Sequence, residues 1–391
     1  MNLQHVLFLA RWYPNRYDPM PGLFIHRHAA AVARFLPVSL LYVMPSQSSE
    51  NIRMAETSIE QVDGVFVFRI YYPPVANNIP FISAALRLIR FYYYLWTGFQ
   101  NIKHLHGRPS LVHVNVLSRL GVFALFLKMI FGIPYIITEH WSRYLEITGT
   151  YKGFLRKIIT RIIVRQAGAL TTVSNNLAKA MQAHGLHNSN YTRVNNVVLD
   201  AFFGKTEVGT NKIPVMVHVS CFEDRSKNIS GLLRAIEKIK NKKIPFQMIM
   251  IGDGEDFTAM KSLSQNLGLI DKDIVFTGLL EGNELITEMA KADFMVMFSN
   301  YENMPVVISE AMALGMPVIA TSVGGIPEHV DDTRGRLVKP GDEDALIHTL
   351  LYMCSHHHDF DRASIRKYAL KEFSYESVGQ EFVRIYNTLI R

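Results

Sequence analysis

Short apolar runs rich in β-branched and aromatic residues alternate with longer helical patterns along almost the whole chain. Val6–Leu9, Val38–Tyr42, Val65–Ile70, Leu111–Val114, Tyr135–Thr138 and Ala169–Val173 read as strands of a first half. Val215–Val219, Phe246–Ile251, Ile274–Phe276, Phe294–Phe298, Pro317–Ala320 and Arg336–Val338 read as strands of a second, again with helices between them. This order predicts two doubly wound α/β units on parallel sheets, each resembling a nucleotide-binding fold. The stretch Val194–Asp200 and the polar Gly204–Lys212 carry no long periodic pattern, so the hinge belongs there. The expected division is residues 1–198, residues 199–372, and a C-terminal helix over 373–391 that packs back toward the first domain. A chain of 391 residues exceeds what one core usually supports, which agrees with two domains.

The apolar opening reaches Arg11 too soon, without a basic leader, to read as a signal peptide, and reads instead as a buried strand. The apolar stretches Leu86–Trp96 and Leu120–Ile137 are interrupted by Arg87 and Arg90, and by Lys128, Gly132 and Pro134, so neither reads as a membrane span. With 49% hydrophobic and 19% charged residues, disordered and fibrous classes are excluded. Lys and Arg outnumber Asp and Glu by 41 to 34, a balance that suits nucleotide phosphates, anionic lipids or nucleic acid. No aromatic-basic recognition motif accompanies it, so nucleic acid is not expected as a partner. Cys221 and Cys354 stand far apart, outside any CxxC spacing, which favours a reducing, cytoplasmic setting over a disulfide framework. His356-His357-His358 reads as a solvated turn, since three adjacent histidines cannot all face one ion from a helix.

The sharpest local signal is Glu302-Asn303-Met304-Pro305-Val306-Val307 leading through Glu310 to Gly315 and Pro317. Pro305 suits the first helical position, and Val306 and Val307 would then offer free amides at the positive end of the helix dipole, ready for a diphosphate. Glu302 in the loop and Glu310 on the second turn could each accept paired hydrogen bonds from vicinal sugar hydroxyls. Taken alone, the same spacing also describes a capped helix with two solvated acids.

The stretch from Ala292-Asp293 through Glu302, Glu310 and Gly315-Met316-Pro317 to Gly324-Gly325-Ile326-Pro327-Glu328 closely resembles the donor-binding signature of glycosyltransferase family 4. The resemblance extends upstream to Ser220, Lys227 and Asn228, to Gly252-Asp253-Gly254 and to Phe276-Thr277-Gly278, and more loosely over the first half. It implies a retaining enzyme of the GT-B fold, two Rossmann-like domains with parallel sheets facing across a cleft, which makes residues 1–198 the acceptor-binding and residues 199–372 the nucleotide-sugar donor-binding domain. It implies a UDP- or GDP-sugar donor, a glycan or lipid-linked acceptor and no cofactor or essential metal. Glu310 then resembles the ribose-binding acid, and Glu302 the acid at the transferred sugar. Asn303, Met304, Val306 and Val307 line the donor, Gly252 sits in a turn by its base, and Leu279 resembles a base-reading position whose plainer reading is a packed strand-end leucine.

Lys227 matches the lysine that offsets the leaving diphosphate. The family arginine about five residues before it is replaced by Phe222, with Arg225 as the stand-in. Gly22, in the loop Trp12–Phe24, resembles a glycine whose small size lets backbone approach the donor phosphate. His140 matches a histidine that touches the transferred sugar. The spacing Asp271-Lys272-Asp273 reads as a solvated turn rather than a metal site. An epimerase of the same architecture, or a non-catalytic sugar- or membrane-binding protein, are the rival readings. The apolar, Arg- and Lys-punctuated helices Phe81–Trp96 and Tyr151–Gln166 could rest on an anionic membrane at the inner face of the cell, or be core helices with a basic outer face.

Overall fold

The computed structural model describes residues 5–47, 50, 52–75, 79–117, 119–204, 211–269 and 273–390. The chain forms two units, one of Met1–Val173, Ala178–Val197 and Tyr375–Arg391, the other of Ser174–Leu177 and Val198–Ser374.

The first unit is built on an eight-stranded sheet in the order β3-β4-β2-β1-β5-β6-β7-β8. Its strands are β1 (Val6–Ala10), β2 (Val38–Pro45), β3 (Glu56–Val62), β4 (Val65–Tyr72), β5 (Leu111–Asn115), β6 (Tyr135–Glu139), β7 (Ala169–Thr172) and β8 (Tyr191–Arg193). Every residue of β1, β5 and β6 is buried, as expected for strands covered on both faces. The expectation of a purely parallel sheet needs one correction, because β3 runs antiparallel to β4. Six of the seven residues of β3 are exposed, so no apolar run announces it. The signal that does is Asp63-Gly64, both at positive φ, the two-residue turn that closes a hairpin.

Helices α1 (Leu23–Ala33), α2 (Pro80–His106), α3 (Arg119–Phe131), α4 (Phe154–Gln166) and α5 (Asn175–Ala183) connect these strands. In α4, Thr160, Ile163 and Val164 are buried while Phe154, Leu155, Ile159 and Ile162 are exposed beside Arg156, Arg161 and Arg165. Its outer face is therefore apolar as well as basic, unlike a core helix with a merely charged exterior. No helix among the described residues is long and apolar enough to cross a membrane.

The second unit carries a six-stranded, wholly parallel sheet in the order β11-β10-β9-β12-β13-β14. Its strands are β9 (Val215–Val219), β10 (Gln247–Ile251), β11 (Ile274–Gly278), β12 (Phe294–Met297), β13 (Val318–Thr321) and β14 (Gly335–Val338). Its helices are α6 (Asp224–Lys227), α7 (Ile229–Asn241), α8 (Phe257–Asn266), α9 (Gly282–Ala290), α10 (Val306–Ala313), α11 (Glu343–His356) and α12 (Arg362–Phe373). Of the hinge segment, residues 205–210 lie outside the described residues.

The last helix, α13 (Tyr375–Asn387), belongs to the first unit. Phe382 packs against His28 and His113, and the Tyr386 hydroxyl lies 2.7 Å from His113 Nδ1. Helix α13 passes close to α1 at Gly379, where an added Cβ would overlap the Ala31 carbonyl oxygen. An alanine in a helix ordinarily gains about 1 kcal/mol over glycine. Here the backbone overlap dominates, and Gly379→Ala is expected to destabilise by about 1–3 kcal/mol. Urea unfolding would check this, and a midpoint at or above wild type would show that the two helices are not held at this distance.

Candidate functional site

In the second sheet the chain fills one side of β9 with β10 and β11, then crosses to the other side with β12. The loops leaving β9 and β12 therefore part in opposite directions and open a crevice at the carboxyl ends of the strands, the usual ligand position in doubly wound folds. Lys227 reaches it from α6, after β9, and Glu302 from the loop after β12. Lys227 Nζ donates to Glu302 Oε1 at 2.6 Å, and Ser299 Oγ donates to the same oxygen at 2.9 Å. Their side chains are 15% and 9% exposed. Burial works against the Lys227 ammonium, and the adjacent Glu302 carboxylate outweighs it, so the lysine pKa lies above its ordinary 10.5. Glu302 Oε2 makes no hydrogen bond among the described residues.

The loop carrying Glu302 is fixed from both sides. On one, Asn300 N donates to Ser226 O at 2.8 Å and Asn300 Nδ2 to Arg225 O at 3.0 Å, fastening the loop to α6. On the other, Thr321 Oγ1 donates to Ser299 O and Gly325 N to Asn303 O, both at 2.6 Å. Gly324 has φ +57°, and a Cβ there would overlap the Glu302 carbonyl, so only glycine permits this approach.

Helix α10 begins one residue later than the sequence suggests. Pro305, at φ −70° and ψ 126°, is the N-cap rather than the first helical residue, since its ψ is extended. No side chain caps the helix, which leaves Val306 and Val307, both half-buried, at its amino end. Met304 is 5% exposed and Glu310 3%. The alternative of two solvated acids therefore fails, for both carboxylates are drawn into the protein.

Other candidates fall around this crevice. Gly252, at φ +132°, closes the end of β10, where a Cβ would overlap the Ser220 carbonyl. Leu279 follows β11 with 54% of its surface exposed, which corrects the reading of a packed strand-end leucine. Phe222 is fully buried against Phe257 and Phe276, so the position of the family arginine is spent on the core. Arg225 is exposed and its guanidinium has no ion pair among the described residues. Two residues went unnoticed in the sequence. Ser299 supports Glu302, and His218 is held between Val296 O (2.9 Å) and Ser220 Oγ (2.7 Å). Burial, with a smaller push from Lys227, lowers the His218 pKa to about 4 and keeps it neutral. A histidine inside an apolar strand, Val215–Val219, was the available signal.

The first unit holds Gly22 and His140. Gly22 precedes α1 at φ +75°, and a Cβ would overlap the Trp12 carbonyl, so its smallness already serves the chain's own turn. His140 follows β6 and packs on Phe24 with ring centroids 4.4 Å apart and on His28 at 5.2 Å. Burial, reinforced by His28 and His113 and opposed by a hydrogen bond to Asn196, holds its pKa well below 6.5. His140 is therefore a neutral hydrogen-bonding group and no source of positive charge. Glu139, which the sequence did not bring out, positions it: Oε1 accepts from His140 N and Trp141 N, Oε2 from Leu117 N, all within 2.9 Å.

The triple histidine departs from a fully solvated turn. His357 opens a short 3-10 segment, stacks on Phe294 at 6.1 Å and lies 3.8 Å from Asp293. Asp271 and Lys272 lie outside the described residues, while Asp273 pairs with Lys240 at 2.8 Å.

A two-unit doubly wound chain with an uncapped helix, two buried acids and a paired lysine at a switch point has the architecture of a GT-B glycosyltransferase. The chain belongs to family 4 of these enzymes: residues 205–372 match the family described as glycosyl transferases group 1, and residues 24–196 the glycosyl transferase 4-like domain. It is 26% identical over 298 residues to an N-acetyl-α-D-glucosaminyl L-malate synthase of Bacillus anthracis, covering 72% of this chain and 75% of that one. It is 22% identical over 398 residues to a putative teichuronic acid biosynthesis glycosyltransferase of Bacillus subtilis, covering 96% and 94%. Among solved structures, a sucrose-phosphate synthase from Thermosynechococcus elongatus superposes with a TM-score of 0.74 at 18% identity over 99% of both chains. The Anabaena protein HepE in complex with UDP and glucose gives 0.69 at 16% identity, over 98% and 99%.

Removing the ammonium would leave Glu302 buried and unpaired. Lys227→Met is expected to cost about 3 kcal/mol at neutral pH, and in a double-mutant cycle Glu302→Gln should recover a large part of it. Because the folded lysine pKa is raised, the pair's contribution is complete below 10.5 and fades as pH climbs through the higher folded value. Additive single and double variants, measured by denaturant unfolding at pH 7, would show that the two groups are not coupled.

Proposed function

We propose that this glycosyltransferase moves a hexose, with retention at the anomeric carbon, from a UDP- or GDP-hexose to a glycan or lipid-linked saccharide in cell-envelope or exopolysaccharide synthesis. The observation that carries the reading is the crevice beside α10, where uncapped amides, a paired lysine and two buried acids converge on one switch point.

The diphosphate rests on the Val306 and Val307 amides, with Asn303 and Met304 lining its approach and Gly252 and Leu279 by the base. Lys227 has three donor protons and gives one to Glu302, so two remain for phosphate oxygens. Arg225 adds charge from the same short helix. Together they offset the negative charge that grows as the sugar–phosphate bond breaks, in place of an essential metal. Glu310 accepts from the ribose hydroxyls, and Glu302, through Oε2, from the hexose. The acceptor oxygen attacks C1 from the leaving-group side. Its bond to C1 forms as the C1–phosphate bond breaks, and the departing phosphate oxygen takes the acceptor proton. Gly22 and His140 keep the donor-side roles that the family resemblance gives them, His140 as a neutral hydrogen-bonding partner of the sugar.

The Bacillus subtilis relative is named for teichuronic acid synthesis, which points to the envelope, and HepE was solved with UDP, which makes UDP-hexoses the first donors to try. The exposed Phe154, Leu155 and Ile162 of α4, among Arg156, Arg161 and Arg165, suit contact with an anionic membrane on its cytoplasmic side.

A matching donor at about 100 times its Kd should stabilise the chain by about 2.7 kcal/mol, seen as a raised thermal midpoint. Glu310→Ala should abolish that shift. Glu302→Gln should keep it while slowing transfer about 100-fold, and EDTA should leave the rate unchanged. Equal shifts in wild type and Glu310→Ala, or a product of inverted anomeric configuration by NMR, would defeat the reading.

The membrane contact has its own test. The chain should cosediment with phosphatidylglycerol vesicles at low salt and less so at 1 M, where the Debye length falls to about 3 Å. Absence of cosedimentation at low salt would remove that contact.

A further inference from the structure

The first sheet has a switch point of its own. After β1 the chain builds β2, β3 and β4 on one side, then crosses to β5 and β6 on the other. The crevice between β1 and β5 is bordered by Arg11, directly after β1, by Asn115, the last residue of β5, by Arg119, the first of α3, and by Arg143 in the turn after β6. Their arrangement is unusual for a protein at rest. Asn115 is fully buried, yet neither its Nδ2 nor its Oδ1 has a hydrogen-bond partner among the described residues. The Nε atoms of Arg11 and Arg143 are likewise buried and without one.

None of the three arginines makes a salt bridge among the described residues. Glu139, at the same edge, is fully buried with both oxygens taken by backbone amides, and it attracts Arg143 without forming a salt bridge among the described residues. Arg143 lies over the Trp141 ring at 3.6 Å and Arg119 over Phe91 at 3.7 Å. Stacking of this kind engages the flat face of a guanidinium and leaves its N–H edge for a planar or tetrahedral oxyanion. Burial above all depresses the pKa of Arg11 and Arg143; Arg119 adds to it for Arg11, opposed by Tyr42, and Arg156 and Arg11 add to it for Arg143, opposed by Tyr144 and Glu139. Partly buried, unpaired cations and an unmet buried amide cost stability unless a ligand answers them.

Resting on the transferase reading above, with the first domain as the expected acceptor side, we propose that the acceptor bears an oxyanion, a phosphate or a carboxylate, and that this strand edge receives it. Arg11, Arg119 and Arg143 hold the anion through their N–H edges, with the Asn115 amide as the neutral group at its floor. The second unit carries a different cation set, Lys227 and Arg225, so donor and acceptor anions are recognised by separate groups.

The test is calorimetric titration of the full chain with sn-glycerol 3-phosphate, L-malate and uncharged glycerol, and separately with UDP. The phosphate, the carboxylate or both should bind and glycerol should not, and Arg11→Gln and Arg143→Gln should each weaken the anion about tenfold or more while leaving UDP affinity unchanged. Asn115→Asp supplies an internal carboxylate, and should likewise lose the anion while holding or raising the thermal midpoint. Vesicles with and without phosphatidic acid separate the sources: a variant defect shared by vesicles assigns a lipid phosphate, and one confined to the soluble probe a free acceptor. Unchanged anion affinity in both arginine variants overturns the site, and so does a parallel loss of UDP, since the arginines would then serve the donor. Failure of the transferase reading appears differently, as absence of UDP binding in the wild-type chain.

Discussion

In each sheet the order of strands reverses at one central strand, and the two loops that leave neighbouring strands there must diverge. That topological constraint creates a crevice before any functional side chain is chosen. In the second unit it falls between β9 and β12, and Lys227 and Glu302 come from its two sides to meet at 2.6 Å. In the first it falls between β1 and β5, beside Arg11 and Asn115. Chemistry is concentrated where the backbone cannot fill space. The glycines bear this out, since Gly324 lets its turn press against the Glu302 carbonyl and so holds the loop to a single path.

Most of the fold was legible because buried parallel strands are apolar nearly throughout, and Val6–Ala10, Leu111–Asn115 and Phe294–Met297 announce themselves by composition. The antiparallel β3 was not, since its Glu-Thr-Ser-Ile-Glu-Gln-Val face is solvated and only the Asp63-Gly64 turn betrays it. Of the site, the two acids and helix α10 could be read from spacing, with the helix start placed one residue early, at Pro305 rather than Val306. Their burial could not, because it depends on packing from Met304, Ser299 and the Gly324 turn, residues far apart in sequence or ordinary in type. The direct pairing of Lys227 with Glu302 was hidden for the same reason, as the two stand 75 positions apart.

The first unit handles buried polarity in two ways. His28, His113 and His140 lie in contact with one another or with shared aromatic neighbours, and burial keeps all three neutral. His28 Nε2 meets Asn195 O, and His113 meets Tyr386 and Thr138, so these two rings tie α1, β5, β6 and α13 together without charge, while His140 packs on Phe24 and His28. The arginines at the same strand ends cannot take that course, because guanidinium does not shed its proton in proteins. Their repulsion persists in the ligand-free chain, whereas an imidazole's is removed by losing a proton. A cluster that cannot neutralise itself internally is a stronger pointer to an external anion than one that can.

The same reasoning separates Lys227 from an ordinary surface lysine. An exposed ammonium is hydrated, and its attraction to a phosphate is largely cancelled by the water it must give up. Lys227 has already been desolvated, and Glu302 has compensated it, so on the proposed reading a diphosphate arriving on its remaining protons meets a fixed charge that needs no reorganisation. The compensation also sets a limit, because Glu302 holds the ammonium in place and draws off part of its field. As the sugar–phosphate bond breaks, charge grows on the phosphate oxygen, and the lysine can shift its balance from carboxylate toward phosphate without leaving either. A lone lysine would grip the ground state harder, whereas a shared one gains most where the phosphate charge is greatest, and that difference is the one that accelerates a reaction.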